Sequence, residues 1–368
     1  MQLIQTPRDA LLKPLTTVAG IVERRHTLPI LANILVKKEG PRVSFVATDL
    51  EVQITTHANF GVGEGNESLT VSARKLLDIL KALSDVGEIK LGLASGKLAV
   101  QSAKSRFSLQ TLAANEFPTM SQPERWDVSL SIPRKTLKHL FNMVHFAMAQ
   151  QDIRYYLNGM LMVFEPGFLR AVATDGHRLA HSATPADGIA VRQEVIVPRK
   201  TVLEMQRLLD DSDEPVNIDI APGQIRFSFG HVELVSKLVE GKFPDYNRVI
   251  PRNHHNSITL GRAALLATLQ RTAILTSEKF KGVRLNIDPG TLRVAANNAE
   301  QEEAVDELDI DYGGDSIEIG FNVTYLIDAL SNMSQDMVTL ELSDGNSSAL
   351  FTIPDNTTFK YVVMPMRI

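Results

Sequence analysis

Ser72-Ala-Arg-Lys-Leu-Leu-Asp-Ile-Leu-Lys-Ala-Leu83 comes round three times in this chain. Pro198-Arg-Lys-Thr-Val-Leu-Glu-Met-Gln-Arg-Leu-Leu209 and Asn322-Val-Thr-Tyr-Leu-Ile-Asp-Ala-Leu-Ser-Asn-Met333 superimpose on it without a gap. An acid stands at the same place in each copy (Asp78, Glu204, Asp328), at spacings of 126 and 124 residues. Phe117-Pro118, Phe243-Pro244 and Met364-Pro365 close the three units, at spacings of 126 and 121. A period this long marks a domain repeat rather than a solenoid turn. Three similar domains in a row build an arc, a shape suited to surrounding something.

Working outward, the 368 residues are too many for one core, and the repeat decides for three domains, 1–125, 126–252 and 253–368. Hydrophobic content of 44% and charged content of 22% fit an ordinary soluble protein, and no apolar run approaches the roughly 18 residues of a membrane span. Met1-Gln-Leu-Ile-Gln-Thr-Pro-Arg-Asp9 lacks the layout of a signal peptide, and zero cysteines exclude disulfides and thiolate chemistry. The expectation is a cytoplasmic protein. A formal charge of −5 argues against nucleic acid only if it is evenly spread. It is not: the segments read as helices (7–25, 72–83, 133–151, 198–211, 261–279, 321–333) hold 16 Lys and Arg against 8 Asp and Glu, leaving −13 for the rest. Helix propensity is the bland account, but Glu is as good a helix former and is not enriched to match.

Each unit reads as helix, strands, helix, strands, an α+β domain of about 120 residues. In the first copy Leu76, Leu77, Leu80 and Leu83 share one helix face, Arg74 and Lys81 take the other, and Ser72 stands as N-cap. Opening helices are predicted over Arg8 to Val22, Arg134 to Met148 and Arg262 to Thr276, with Pro14 a cost inside the first. Alternation such as Ile225-Arg-Phe-Ser-Phe229 marks strands with one buried face. Gly61-Val-Gly-Glu-Gly65 leads into a strand-like stretch rather than a helix, so it reads as a hairpin and not a phosphate loop. His254-His255 lack metal-ligand spacing; no metal and no cofactor are expected.

Two segments look like a site. Thr174-Asp-Gly-His-Arg-Leu179 is the densest polar constellation, and Asp175 with His177 invites an acid–base reading. Ala47-Thr48-Asp49-Leu50 occupies the same place 126 residues earlier without the His or Arg. The Thr-Asp pair is therefore read as architecture, and Gly176-His177-Arg178-Leu179 as an addition that favours binding over catalysis. The other oddity is Tyr361-Val-Val-Met-Pro-Met-Arg-Ile368, apolar where chain ends are normally polar. Its methionines suit a surface that accepts several partners.

At these residues the chain resembles the β subunits of bacterial DNA polymerase III, the replicative sliding clamps. Leu28-Pro-Ile-Leu31, Gln151-Asp-Ile-Arg-Tyr-Tyr-Leu-Asn-Gly-Met160, Val172-Ala-Thr-Asp-Gly-His-Arg-Leu179, Lys242-Phe-Pro-Asp-Tyr246, Glu278-Lys-Phe-Lys-Gly-Val-Arg-Leu285 and Tyr361-Val-Val-Met-Pro-Met-Arg367 carry the likeness over the whole length. It implies a DNA clamp fold: a head-to-tail homodimer of three-domain subunits, a six-domain ring with helices lining the hole and sheets outside. Basic helices would face duplex phosphates without reading bases. The resemblance also implies a non-enzymatic protein whose partners are the polymerase α subunit, the clamp loader, other polymerases and repair factors, each presenting a short peptide with a Leu or Phe anchor.

The groove so implied would take Arg154, Leu157, Thr174, Gly176, His177, Arg178, Leu179, Pro244, Arg248, Val249, Asn322, Tyr325, Ser348, Val362, Val363, Met364, Pro365, Met366 and Arg367. The resemblance also places Asn346 on the rim, where a representative of the family carries an apolar residue, and sets Ile368 in place of a terminal Leu. Duplex contacts would fall to Arg24, Gln151, Tyr155, Tyr156, Arg199 and Lys200, with ordinary packing the rival role for the two tyrosines. For the dimer seam, charge sets Arg74, Lys97, Lys104 and Arg106 against Glu300, Glu302 and Glu303, and the resemblance adds Phe107, Ile274 and Leu275 as its apolar centre. The rival readings are a groove-binding adaptor that never encloses DNA, and a hydrolase centred on Asp175 and His177.

Overall fold

The structure, a computed structural model, describes residues 1–23, 28–85, 87–252 and 254–368. Its elements repeat in one order: strand, helix, four strands, helix, three strands. In the first copy these are Gln2–Pro7, helix α1 (Arg8–Ala19), Asn33–Glu39, Arg42–Thr48, Val52–Asn59, Asn66–Ser72, helix α2 (Ala73–Ala82), Glu88–Ala94, Lys97–Ser102 and Ser105–Leu112. The second copy carries α3 (Arg134–Asn142) and α4 (Arg199–Leu208), the third α5 (Arg262–Thr272) and α6 (Val323–Asn332). The strand that leads each copy was not read from the sequence.

The opening helices are shorter than predicted. Past Asn142 the chain tightens into a 3-10 turn at His145–Ala147, and past Thr272 into another at Ala273–Leu275. The Thr272 hydroxyl donates back to the Thr268 and Leu269 carbonyls at 3.0 and 3.2 Å. A 3-10 turn keeps the i, i+3 spacing of apolar residues, so the pattern ran on beyond the α-helix. Helix α1 continues through Pro14. Ser72 caps α2 as expected, accepting the Lys75 amide.

One arginine begins the first helix of each copy and fastens it to the end of the second. Arg8 Nη1 donates to the Leu83 carbonyl at 2.7 Å, and Arg262 Nη1 to the Leu330 carbonyl at 3.0 Å. Arg134 instead pairs with the Asp210 carboxylate, 3.1 Å away. A cation at the C-terminal end of a helix satisfies carbonyls that have no intrahelical partner. The glycine-rich hairpin also holds a cation: buried Lys38 donates to the Gly63 and Gly65 carbonyls at 2.8 and 2.6 Å. Its oxygens, not its amides, face inward, which suits no phosphate.

Contacts group the chain into two compact units, Met1–Arg134 with Arg207–Leu238, and Lys135–Gln206 with Val239–Ile368. Strand pairing explains why this division cuts through the second repeat. In the first unit the last strand of repeat two (Val232–Lys237) pairs with the fourth strand of repeat one (Val52–Asn59), within a 12-stranded sheet. In the second unit the last strand of repeat three (Asn356–Val363) pairs with the fourth of repeat two (Arg178–Ala186), within an 8-stranded sheet. Leu11, Leu76, Leu137, Met205, Leu269 and Leu326 bury the apolar faces of the helices. The helix segments as built carry 13 Lys and Arg against 4 Asp and Glu, a sharper bias than the longer predicted segments gave.

Candidate functional site

The Thr-Asp turn appears twice with the same bonds. Thr48 Oγ1 donates to the Val52 carbonyl (2.9 Å) and accepts the Leu50 amide (3.0 Å), while Asp49 Oδ1 accepts the amides of Glu51 (2.9 Å) and Val52 (2.7 Å). Thr174 Oγ1 likewise donates to the Arg178 carbonyl (2.6 Å) and accepts the Gly176 amide (3.1 Å), and Asp175 Oδ1 accepts the amides of His177 (2.9 Å) and Arg178 (3.1 Å). The third residue sits at positive φ in both, 77° for Leu50 and 92° for Gly176. Glycine takes that conformation without strain, and a side chain at 176 would also press on the Arg154 guanidinium.

What differs is the residue at the turn's end. Val52 is buried in the first copy, whereas Arg178 in the second reaches Asp175 at 3.0 Å and Asp328 of α6 at 2.7 Å. Its guanidinium also lies 4.4 Å over the Tyr325 ring, against which the His177 ring stacks. Burial works against this charge, yet the oxygens of Tyr361, Asp328 and Asp175 hold the guanidinium above its usual range. The same burial pushes the Tyr361 hydroxyl well up, and that hydroxyl donates to the Tyr325 carbonyl at 2.8 Å. Arg178 thereby clamps α6 to the strand Arg178–Ala186.

The groove residues meet on this frame. Leu157, Leu179 and Val362 are buried together with Phe243, Tyr246 and Leu350 and form its floor. Val363 lies opposite Arg178 in the strand register. Around them Arg154, His177, Pro244, Arg248, Val249, Asn346, Met364 and Arg367 are exposed, and Asn322, Ser348, Pro365 and Met366 half-buried. Arg154 is fixed by a two-point pair with Asp152, at 3.0 and 2.9 Å, which holds that carboxyl at about 2. Asn322 caps α6 by accepting the Thr324 amide at 2.9 Å. The arrangement is an apolar floor with a polar, exposed rim.

Of the predicted duplex contacts, Gln151 and Tyr155 are exposed, while Tyr156 packs against the groove's core cluster. Arg199 is half-buried and donates to the Met148 carbonyl at 3.3 Å; burial first, and then Arg178, pull it below its usual range. It lines a cleft of about 710 Å³ together with Gln151, Arg154, His177 and Arg178. Arg199 starts α4, and Lys200 is its second residue. Arg24 lies outside the described residues.

The seam residues occupy two strands and their neighbours. Arg106 and Phe107 lie on Ser105–Leu112, Lys104 on the turn before it, Lys97 on the adjacent strand and Arg74 on α2, where it pairs with Asp78 at 3.6 Å. Glu303 begins the strand Glu303–Asp309, Glu300 and Glu302 precede it, and both of their amides are held by Asn298. Ile274 is 77% exposed, a large apolar side chain without cover.

Sequence reading did not find the residues that support these side chains. Asp328 was visible as the recurring acid, yet its partner could not be read. Asp152 and Phe146, which lies beside Arg178 at 5.9 Å, carried no periodic signal. Among the described residues no group of three or more His, Cys, Asp or Glu could hold a metal ion, and no helix is long and apolar enough to cross a membrane.

Comparison with known proteins agrees with this architecture along the whole chain. Family models for the DNA polymerase III beta subunit match in order: the N-terminal domain over residues 1–121, the central domain over 131–245 and the C-terminal domain over 247–367. The beta sliding clamp of Pseudomonas aeruginosa is 47% identical over 362 residues, 98% of each chain. That of Escherichia coli (strain K12) is 42% identical over 361 residues, again 98% of each. The crystal structure of the DNA polymerase III subunit beta from Pseudomonas aeruginosa superimposes with a TM-score of 0.95 at 46% identity, covering 100% of both chains. A second structure from that organism, a sliding clamp bound to griselimycin, matches equally well, with a TM-score of 0.95. Three like domains in tandem, matched end to end by sliding clamps, define the class as a DNA clamp fold. The chain belongs to the DNA polymerase III beta subunit family. That family is one of non-enzymatic processivity factors, which removes the hydrolase reading. The geometry agrees, since the Asp175 carboxylate is already engaged by two amides and Arg178.

Proposed function

We propose that two copies of this chain close head to tail into a six-domain ring around duplex DNA, and that the groove tethers the polymerase and other replication and repair factors to it. The observation that carries this reading is the pairing rule between repeats. The last strand of repeat two takes the fourth strand of repeat one, and the last strand of repeat three takes the fourth of repeat two. One strand of each kind is left over: Ser105–Leu112, paired at 105–110 only with Lys97–Ser102, and Glu303–Asp309, the end strand of a 4-stranded sheet. Among the described residues these edges have no further partner. Open edges invite pairing with another chain, and one is basic where the other is acidic. Exposed charge pairs contribute at most about 1 kcal/mol each, so Phe107, Ile274 and Leu275 dominate the seam.

The basic helices supply the DNA side. Lys and Arg facing phosphates give weak, sequence-indifferent, salt-sensitive binding that allows sliding. Enclosure then makes the grip topological: a polymerase held in the groove rebinds the primer end at high effective concentration instead of being lost. A clamp loader opens the ring, and the chain works in the cytoplasm.

The test is retention on a nicked circle. A ring stays until the circle is cut, whereas a groove-binding adaptor is indifferent to ends. Ile274→Ala with Leu275→Ala should give folded monomers that are not retained; a dimer unchanged on dilution sinks the proposed seam. Replacing Lys200 and Arg24 by Glu should impair retention while leaving the fold intact, and parent-like retention would reject them as lining residues.

A further inference from the structure

The closing segment, Met364 to Ile368, turns over the third repeat instead of leaving it. The Met364 amide donates to the His177 carbonyl at 2.9 Å, and the Met366 amide to the Gly320 carbonyl at 2.8 Å. Beneath it run Gly282–Asp288 and Ile317–Asn322, paired antiparallel with Gly282 opposite Asn322 and Arg284 opposite Gly320. Val283, Leu285, Ile287, Ile319 and Phe321 point into the core. Paired residues of a sheet share a face, so 282, 284, 320 and 322 form the outer surface on which the segment lies. Two of those four positions are glycine.

Space, not backbone conformation, requires them. Neither glycine has a positive φ, but a Cβ on Gly320 would stand 2.5 Å from the Met366 carbonyl oxygen and 2.7 Å from Ile368 Cδ1. A Cβ on Gly282 would stand 3.3 Å from the same Ile368 atom. A third glycine does similar work on the rim. A Cβ on Gly345 would run into the Glu318 carbonyl oxygen, so the loop that carries Asn346 meets this strand backbone to backbone. Asp344 stiffens that loop by accepting the Asn346 and Ser347 amides, both at 2.8 Å.

We infer that Gly282 and Gly320 form a seat that sets the height of Met364 to Ile368, and through it the opening between Met364 and Leu179. They are positioning residues for peptide binding and touch no peptide themselves. This rests on the groove reading above. Any side chain at 320 displaces a backbone oxygen two residues from Met364 and breaks the Met366–Gly320 hydrogen bond, so the groove wall moves as a piece.

The experiment titrates a fluorescein-labelled hexapeptide with leucine and phenylalanine anchors against the full chain. Gly320→Ala should weaken binding by on the order of tenfold, with the mass in solution unchanged. Gly282→Ala, whose clash is with the end of a flexible side chain, should cost only a few-fold. Gly313→Ala, with nothing within 4 Å of its Cβ, should bind like the parent. The loss of melting temperature caused by Gly320→Ala should disappear when Met364 to Ile368 are deleted, since two residues in contact couple. Parent-like affinity of Gly320→Ala, or an equal melting loss with and without the segment, overturns the seat. If Gly320→Ala does not fold in the full chain, Gly282→Ala decides: parent-like binding by it overturns the seat as well. A truncated chain that binds the peptide as tightly as the parent overturns the groove reading instead, so the two failures are distinguishable.

Discussion

The turns at 48–52 and 174–178 share their hydrogen bonds and differ in what they hold. In the first, Val52 completes a core; in the second, Arg178 leaves the same position to bridge Asp175 and Asp328. The recurring acid changes with it. Asp78 makes an exposed pair with Arg74 at 3.6 Å on its own helix, whereas Asp328 receives an arginine from another repeat at 2.7 Å. The comparison teaches that one turn geometry serves a core contact in one copy and an ion pair between repeats in the other. Five substitutions test this by making the copies alike or by probing what they share.

Arg178→Val rewrites the second turn as the first and should have the largest effect. It leaves the carboxylates of Asp175 and Asp328 without their shared cation; removing one partner of a buried ion pair costs about 3–5 kcal/mol, and the partial exposure of both acids puts this loss at or below the lower end. Melting temperature should fall by several degrees and peptide affinity should be lost; a variant that keeps both would show that the arginine is decoration.

His181 is the next difference, since Thr55 stands at its place in the first copy. Burial, then Arg170 and Lys360, pull its imidazole down to about 4, and its Nδ1 lies 3.1 Å from the Thr358 carbonyl. The unfolded chain takes up a proton near pH 6.5 while the folded one does not, so stability is full above that pH and falls as pH drops toward 4. The loss is at most about 3 kcal/mol. His181→Thr should flatten the melting temperature between pH 6.5 and 4; an unchanged slope would assign the pH dependence to other groups.

Thr48→Val and Thr174→Val each remove the same two hydrogen bonds, at about 1 kcal/mol per bond. Calorimetry should find similar destabilisation in both, with peptide binding weakened in Thr174→Val alone. Unequal losses of stability would mean that the turns are alike only in outline. Smallest is Arg74→Ala, which removes an exposed i, i+4 pair of about 0.3–0.5 kcal/mol. A larger loss than that would place Arg74 in a contact beyond its own helix, as the seam reading requires for the dimer at low concentration.

Much of this was legible in one dimension. Apolar residues at helical and alternating spacings gave the helices and strands, and the repeat gave three units, because hydrophobic period is a property of neighbours along the chain. It also exposed the Thr-Asp pair as architecture, since the same letters stood 126 residues earlier. The ends of α3 and α5 were misjudged because 3-10 and α turns share a spacing.

Contacts between distant residues were another matter. That Arg178 would find Asp328, 150 residues on, depends on a strand pairing between repeats that no local pattern encodes. Gly282, Gly320 and Gly345 read as unremarkable letters in strands and loops, and matter only where another part of the chain, backbone over Gly320 and Gly345 and the Ile368 side chain over Gly282, passes within van der Waals reach. The sequence by itself determined the helices, most of the strands, their threefold order and the charge of the helices, all of which follow from composition and period. Tertiary structure alone decided which carboxylate each arginine meets and how closely the closing segment lies over its strand, because both are set by packing distances between parts of the chain that are far apart in sequence.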